Sequence, residues 1–313
     1  MNIMSDFRLE IFQCVAKHLN FTKASKELLI SQPAVSKNIQ ELENYYGVRL
    51  FERLGSKVEL TPAGEMFLEL SNEILSKYGN LLFTMYQLSD KKIGTLRIGT
   101  TATAGQYILP PLLAEFHNRY PHINVTQVSA ANSEAIENMT IKGQIDIGIV
   151  EGYARERNLR YIPFMKDRII PITSISNHSL KKESISIDQI YKIPLVLKEY
   201  SSGTYQAIKH ALSNHDIDIS KLNVCACLDS TEGLKNYLLH SDCIGLISMY
   251  AIKYSSDYNL FRILTLKDIK IERDLCFILL SQNETQALSR LFIEQVCILA
   301  KNIYGQSNCL CDV

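Results

Sequence analysis

The stretch SQPAVSKNIQELENYYG, Ser31 to Gly47, decides how the first part of this chain folds. Ser31 is a good N-cap, and Pro33 falls in the first turn, where its missing N–H costs no helical hydrogen bond. Val35, Ile39, Leu42 and Tyr46 recur at i, i+4, i+7 and i+11, predicting one buried stripe. Pro33, Lys37, Gln40 and Asn44 lie opposite, with Gln32, Ala34 and Ser36 on the flanks. The outward face near the N-terminus is therefore small, polar and hydrogen-bonding. Such a face suits the major groove of DNA. Gln pairs bidentately with adenine, Ala touches a thymine methyl, Ser adapts, and Lys reaches guanine or phosphate. A helix N-terminus also attracts phosphate. An ordinary solvated helix has a similar composition, so the neighbouring segments must decide.

On the N-terminal side, Phe7, Ile11, Cys14 and Val15 predict a first helix capped by Ser5 or Asp6. A second short helix starts at Phe21, with Thr22 as N-cap and Ala24 and Leu28 on one face; Leu29-Ile30 is the turn. On the C-terminal side, Phe51–Leu60 reads as two short strands around Gly55-Ser56. Helix, helix, turn, helix and hairpin make a winged helix-turn-helix. Residues 1–66 carry eight Lys/Arg and eight Asp/Glu, and the whole chain has a net charge of zero. Composition alone thus does not predict a nucleic-acid partner. The local arrangement does: Lys23 and Lys26 precede the helix, and Arg53 and Lys57 follow it, where a backbone-contacting face would lie. The candidate DNA-binding residues are Thr22, Lys23, Ser31, Gln32, Pro33, Ala34, Ser36, Lys37, Gln40, Arg53 and Lys57. Gln32 and Ser36 are expected to read bases, and Lys37 and Arg53 to hold phosphates.

Thr61-Pro62 opens another helix. Along it Phe67, Leu70, Ile74, Tyr78, Leu81, Met85 and Leu88 keep a mean spacing near 3.5, the period of a coiled-coil seam. From Pro62 to Ser89 it would run about 42 Å. Its length and seam predict dimerisation, although Gly79 weakens it locally. Ser89–Lys92 is a polar hinge. Beyond it strands and helices alternate, which predicts a parallel sheet with crossover helices. The strands are GTLRIGT, INVTQVS, QIDIGIV, RIIPITS, PLVLKE, NVCACL, CIGLIS and DLCFILLS. The chain of 313 residues is long enough for two or three domains. Nothing in it approaches a membrane span or a signal peptide, so a cytoplasmic location is expected.

The run NFTKASKELLISQPAVSKNIQELENYYGVRLFERLGSKVELTPAG resembles the N-terminal domain of LysR-type transcriptional regulators. The resemblance rests on Phe21, Ala24, Leu28, Ser31–Ser36, Ile39, Leu42-Glu43, Gly47, Leu50-Phe51, Arg53 and Leu60–Gly64. The family often has alanine at the position of Ser25 and a more arginine-rich wing. GTLRIGT, LPPLLAEFHNRYP, GQIDIGIV, SSGT and CIGLIS resemble its effector domain. The resemblance implies an all-α winged helix-turn-helix with a long linker helix, followed by an α/β effector domain of two subdomains, like a periplasmic binding protein. The expected boundaries are 1–61 for the DNA-binding domain and 62–92 for the linker helix and hinge. Subdomain I takes 93–163 and 268–305, subdomain II 164–267, and 306–313 form a tail. The chain is expected to cross between subdomains near residues 163 and 268. The implied partners are double-stranded DNA with an inverted-repeat operator, a second copy through the linker helix, commonly a tetramer, and RNA polymerase for an activator.

Ligands of open α/β sheets sit beyond the carboxyl ends of strands. The candidate effector-binding residues are accordingly Thr100, Thr101, Thr103, Ser129, Asn132, Ser133, Glu199, Ser201, Ser202, Gly203, Thr204 and Ser248. Hydroxyls and amides at a helix start suit an anion. The SSGT loop most resembles the branch that includes regulators of carbon fixation and sulfur metabolism, which implies a small anionic metabolite. No cofactor or metal is expected. The eight cysteines lack zinc-knuckle spacing and CxxC, and are expected to be mostly buried thiols. A regulator switched by cysteine oxidation is the alternative. An α/β enzyme is disfavoured, because Walker A, GxSxG, HExxH and GxGxxG are missing.

Overall fold

The computed structural model describes residues 6–55, 57–89, 91–152, 156–180, 183–267, 269–281 and 286–311. Contacts divide the chain into Met1–Gly94 with Lys142–Gln144, and Thr95–Ile141 with Ile145–Val313.

The first unit contains α1 (Asp6–His18), α2 (Phe21–Glu27), α3 (Gln32–Tyr46), the hairpin β1 (Phe51–Leu54) and β2 (Lys57–Leu60), and α4 (Pro62–Gln87). Ile11, Phe12 and Val15 of α1 pack with Ala24 of α2 and with Val35, Ile39 and Leu42 of α3. Tyr46 departs from the expected stripe and is 44% exposed. It lies in the last turn, past the three-helix core, where its ring meets Phe67 at 5.3 Å and Tyr45 at 5.0 Å. The expected cap Thr22 is also corrected: Asn20 caps α2, its side chain accepting from Lys23 N at 2.9 Å. Asn is the stronger N-cap, and choosing it starts the helix two residues earlier than a Thr22 cap would. Ser5 and Ser56, assigned to a cap and a turn, lie outside the described residues.

The wing is fastened by a buried acid. Glu43 Oε1 accepts from Leu50 N at 2.8 Å and Phe51 N at 3.2 Å, and Oε2 pairs with Arg49 at 3.2 Å. Thr61 caps α4, accepting from Gly64 N at 3.0 Å, and donates to Arg49 O at 2.6 Å. A Cβ on Gly64 would lie 2.0 Å from Leu50 O, so the close approach of α4 to the wing requires glycine. On α4, Phe67 packs edge-on against Phe12 at 4.7 Å. Leu70, Ile74, Tyr78, Leu81, Met85 and Leu88 of the predicted seam are all exposed.

The second unit begins with β3 (Gly94–Thr101), a π-turn at Ala104–Ile108, α5 (Leu109–Arg119), β4 (Ile123–Ala130), α6 (Ser133–Ile141) and β5 (Ile147–Glu151). Then come β6 (Leu159–Ser174), β7 (Ser184–Ile185), α7 (Ile187–Ile190), β8 (Leu195–Lys198), α8 (Gly203–Ser213), β9 (Val224–Leu228), α9 (Thr231–Leu239) and β10 (Ile244–Ser248). It ends with α10 (Tyr250–Lys253), β11 (Phe261–Ile263), β12 (Thr265–Leu266), β13 (Ile271–Leu280) and α11 (Ala287–Tyr304). The main sheet has the order β4-β3-β5-β13-β6-β10-β8-β9, with β11 also on β6.

The sheet is mixed rather than all parallel. β3–β5 and β10–β8–β9 pair in parallel. Between these sets β13 runs antiparallel to β6 along its own whole length, against Leu159–Ile169, and the rest of β6 pairs with β10 and β11. β6 is therefore 16 residues long, more than twice the predicted RIIPITS. Its first half hid because Pro163 cannot donate to a ladder and Arg160, Lys166 and Asp167 interrupt the apolar pattern. Pro163 is accommodated where the register with β13 shifts at Leu275/Cys276. Of the two expected crossing points, Pro163 thus lies within β6, and Asp268 lies outside the described residues.

The cysteines also depart from expectation. Cys297 on α11 and Cys311 form a disulfide, and Cys225 is exposed. The tail turns back along β6, with Leu310 N donating to Phe164 O at 2.8 Å, and this return brings Cys311 to α11.

Candidate nucleic-acid interface and ligand cleft

The first turn of α3 is presented outward. Ser31 Oγ accepts from Ala34 N at 3.3 Å, so Ser31 is spent partly as cap. Pro33, Lys37 and Gln40 are exposed; Gln32, Ala34 and Ser36 are half-buried. Gln32 Nε2 donates to Ser36 Oγ at 2.8 Å, so these two flanking side chains form one unit. Lys37 Nζ stands 3.9 Å from Glu41, which is already paired with Arg8 at 2.8 Å. At 78% exposure the Lys37 side chain is loosely held. Thr22 and Lys23 are exposed at the start of α2, and Lys57 is exposed on β2. Arg53 lies on β1 opposite Val58; its side chain lies outside the described residues. Ser36 and Gln40 border a groove of about 530 Å³ that Arg49, Phe51 and Glu52 also line. Arg49, with an 80% exposed side chain, is a cation on this groove that the sequence reading passed over.

In the second unit a cavity of about 320 Å³ opens at the carboxyl ends of β3, β5, β8 and β9. Six of the twelve expected residues line it: Thr101, Thr103, Glu199, Ser202, Gly203 and Thr204. The other six are occupied elsewhere. Thr100 Oγ1 is buried against Ser129 Oγ (3.3 Å) and Gln127 Nε2 (3.1 Å). Asn132 Oδ1 accepts from Ala135 N at the start of α6, and Ser133 Oγ bonds both the N–H and C=O of Glu151. Ser201 Oγ is exposed and donates to Glu199 Oε1 at 2.7 Å. Ser248 Oγ is buried and donates to Asp167 Oδ1 at 2.7 Å.

Charged residues that the sequence reading left aside complete the lining: Glu151, Lys198 and Asp229, with Thr231. Lys198 is buried, and its ammonium donates to the carbonyl of Asp229. Burial holds its pKa below the ordinary lysine range, opposed by Asp229, Glu199 and Glu151. Beside it α8 begins. Ser202 Oγ accepts from Tyr205 N at 3.1 Å, leaving Gly203 and Thr204 as the opening residues, whose amides have no intrahelical acceptor.

Beneath the cavity Arg273 of β13 is fully enclosed. It pairs with Glu151 Oε2 at 2.7 Å and Asp167 Oδ2 at 2.7 Å, and it donates to Thr103 Oγ1 at 3.0 Å and Thr204 Oγ1 at 3.3 Å. Burial pulls the guanidinium down, but Glu151 and Asp167 outweigh it and hold the charge. Thr101 Oγ1 donates to Glu151 Oε1 at 3.1 Å. A Cβ on Gly203 would stand 1.8 Å from Glu151 Oε2, so glycine is what lets this carboxylate lie against α8. Arg273 thus joins the ends of β3 and β5 to the start of α8. A second link runs from Tyr107 to α9: its hydroxyl donates to Glu232 at 2.6 Å, and buried Lys235 bridges Glu232 (2.9 Å) and Asp257 (2.8 Å). Lys198 and the α8 amides can take an anionic group, while Glu199, Asp229 and Thr231 can bond hydroxyl or amine groups on the same small molecule.

The family described as "Bacterial regulatory helix-turn-helix protein, lysR family" matches residues 7–65, and "LysR substrate binding domain" matches residues 89–297. A probable RuBisCO transcriptional regulator of Thalassiosira pseudonana is 30% identical over 276 residues, covering 87% of this chain and 90% of the relative. Full-length CbnR, solved as a complex with its target DNA, superposes with a TM-score of 0.66 at 18% identity, covering 94% of this chain and 99% of that one. The Synechocystis PCC6803 CcmR regulatory domain, solved with 2-PG, superposes with a TM-score of 0.59 at 24% identity, covering 67% of this chain and 98% of that one. A lysR-type head on residues 7–65 and a LysR substrate-binding domain on residues 89–297 place this chain in the LysR family of DNA-binding transcriptional regulators.

Proposed function

We propose that this regulator binds an inverted-repeat operator as a dimer, with α3 in the major groove, and that a small anionic metabolite in the 320 Å³ cavity controls it. The observation that carries the effector reading is the buried Lys198 beside the start of α8, on a cavity edged by hydroxyls. A buried ammonium hydrogen-bonded to a main-chain carbonyl, and only partly offset by the carboxylates around it, gains from a further anionic partner. The CcmR regulatory domain, solved in complex with 2-PG, supports a ligand-bound role for this fold. Gln32 and Ser36 read bases, and Lys37 and Arg49 hold phosphates. Arg53, expected from the sequence to share that role, remains part of the proposal.

The two halves of the second unit act as subdomains, 93–163 with 268–305 and 164–267, joined by β6 and β13. Ligand that binds one arrangement of the halves more tightly shifts the population toward it. The exposed α4 seam supplies the dimer, and pairs of dimers supply a tetramer. The match to a family of DNA-binding regulators supports action in the cytoplasm without substrate turnover; among the described residues no helix is long and apolar enough to cross a membrane. The test is calorimetry of the full-length protein with 2-PG, phosphate and sulfate, alongside a salt-controlled shift assay on the DNA upstream of its own gene. Binding that Lys198→Met abolishes, coupled to a changed operator affinity, supports the reading. Equal anion binding by wild type and Lys198→Met moves the site elsewhere.

The Cys297–Cys311 disulfide favours a second reading, in which thiol oxidation modulates the same regulator. Thiol titration with and without peroxide, in parallel with DNA binding, tests it; operator affinity indifferent to the oxidation state of this pair removes it.

A further inference from the structure

We propose that the DNA-binding head carries a site for a zinc-class divalent metal, formed by Cys14, His18 and Glu27. Cys14 and His18 lie one turn apart on α1, so their side chains share a face. Glu27 closes α2 and reaches the same place from across the α1–α2 turn. The thiol sulfur, an imidazole nitrogen and a carboxylate oxygen all lie within 4.8 Å of one another. His18 Nε2 and Glu27 Oε2 are 2.5 Å apart. Ligand atoms on one tetrahedral zinc ion are separated by roughly 3–4 Å, given metal bonds of about 2.0–2.3 Å. Seating an ion requires His18 and Glu27 to open by about 1 Å and Cys14 Sγ to turn from Ala24 O.

The donor chemistry selects the metal class. Thiolate with imidazole favours zinc and its borderline relatives over magnesium or calcium, which want oxygen alone. A thiolate and a carboxylate also neutralise a divalent cation, so the filled site adds no net charge next to the packed core. The burial gradient suits entry from solvent: Cys14 is buried, His18 half-buried and Glu27 exposed. Three protein ligands leave the fourth position to water. Lys17 Nζ sits 2.8 Å from Glu27 Oε1 and can hold the carboxylate while Oε2 faces the metal, the usual outer-shell arrangement.

Without metal these groups have ordinary alternatives. Cys14 Sγ donates weakly to Ala24 O at 3.7 Å, and His18, Lys17 and Glu27 form a surface ion cluster. What those contacts leave unexplained is the convergence of three different ligand types on one point from two helices. A metal there would cross-link the last turn of α1 to the last turn of α2, directly before the turn into α3. Metal occupancy then stiffens the scaffold that aims α3.

The test uses metal-free full-length protein titrated with Co²⁺ and then Zn²⁺. The expected result is one Co²⁺ per chain with a near-ultraviolet thiolate-to-cobalt band, which Zn²⁺ abolishes by displacement. Cys14→Ser is expected to lose the band. His18→Gln and Glu27→Gln are expected to weaken binding at least about tenfold, since even loss of an outer partner costs that much. Because Cys14 packs in the core, Glu27→Gln supplies the fold-independent arm: Zn²⁺ should raise the melting temperature of the wild type and not of this variant. No thiolate band in wild type, a band that survives Cys14→Ser, or wild-type affinity in both His18→Gln and Glu27→Gln overturns the proposal.

Discussion

Gln32 and Ser36 face each other across one turn of α3, with Gln32 Nε2 donating to Ser36 Oγ at 2.8 Å. The hydroxyl thereby orients the amide before any DNA arrives, which reduces the ordering cost of a bidentate contact. Gln32→Ala is expected to cost about 1–3 kcal/mol at the operator, and Ser36→Ala less. The double variant is expected to fall short of the sum, because the pair acts as a unit. Binding to unrelated DNA should change little, so shift assays on operator and random duplex at one salt concentration check the claim.

Arg273 is enclosed with two carboxylates, and truncating it leaves Glu151 and Asp167 buried without a cation. Arg273→Met is expected to destabilise the second unit by about 3–5 kcal/mol. Denaturant unfolding of the full chain measures it; a transition within about 1 kcal/mol of wild type would refute the network's structural role.

Lys198 has the opposite profile. Its charge is disfavoured in the ligand-free fold, so Lys198→Met should leave the melting temperature near wild type while anion binding is lost. The pH dependence has a definite sign. A lysine whose folded pKa lies below its unfolded value of about 10.4 makes the fold gain stability as pH rises from the folded pKa toward that value. Anion affinity should fall over the same range, and at lower pH than for an ordinary lysine. Calorimetric titrations across the alkaline range read this directly.

At Gly64 an added methyl meets the Leu50 carbonyl at 2.0 Å, which is backbone and cannot swing aside. Gly64→Ala should cost about 1–3 kcal/mol through a forced shift of α4 against the wing. At Gly203 the obstacle is the Glu151 carboxylate at 1.8 Å, the oxygen that pairs with Arg273, so Gly203→Ala should perturb both ligand binding and folding of the second unit. Thermal melts and calorimetry on the two variants separate the effects.

The apolar seam of α4 gives the last prediction. Leu81 is 54% exposed in the single chain and sits mid-seam. Leu81→Glu should shift sedimentation from dimer toward monomer and weaken operator binding through lost bivalency. Its monomeric fold should be unimpaired, because nothing of the head's core involves Leu81.

The local elements of the head were legible in residues 21–64 because their signals are local: a cap at Ser31, a proline in the first turn, apolar spacing and a turn glycine. The effector domain's strands and the hydroxyl-rich loops after them were legible for the same reason, as was the resemblance to the LysR family. Tertiary structure alone decided what those residues face. Thr101 reached the cavity while Thr100, its neighbour, turned into the fold, since adjacent strand residues point to opposite faces. Glu151, Lys198 and Arg273 stand at or beside the ends of apolar runs, and only the pairing of β13 with β5 on one side and β6 on the other brings Arg273 to Glu151 and Asp167. A sequence announces its caps, periods and turns because each depends on neighbours a few residues away. The meeting of Cys14 with Glu27, or of Arg273 with Glu151, depends on how separate elements pack, which local spacing does not encode.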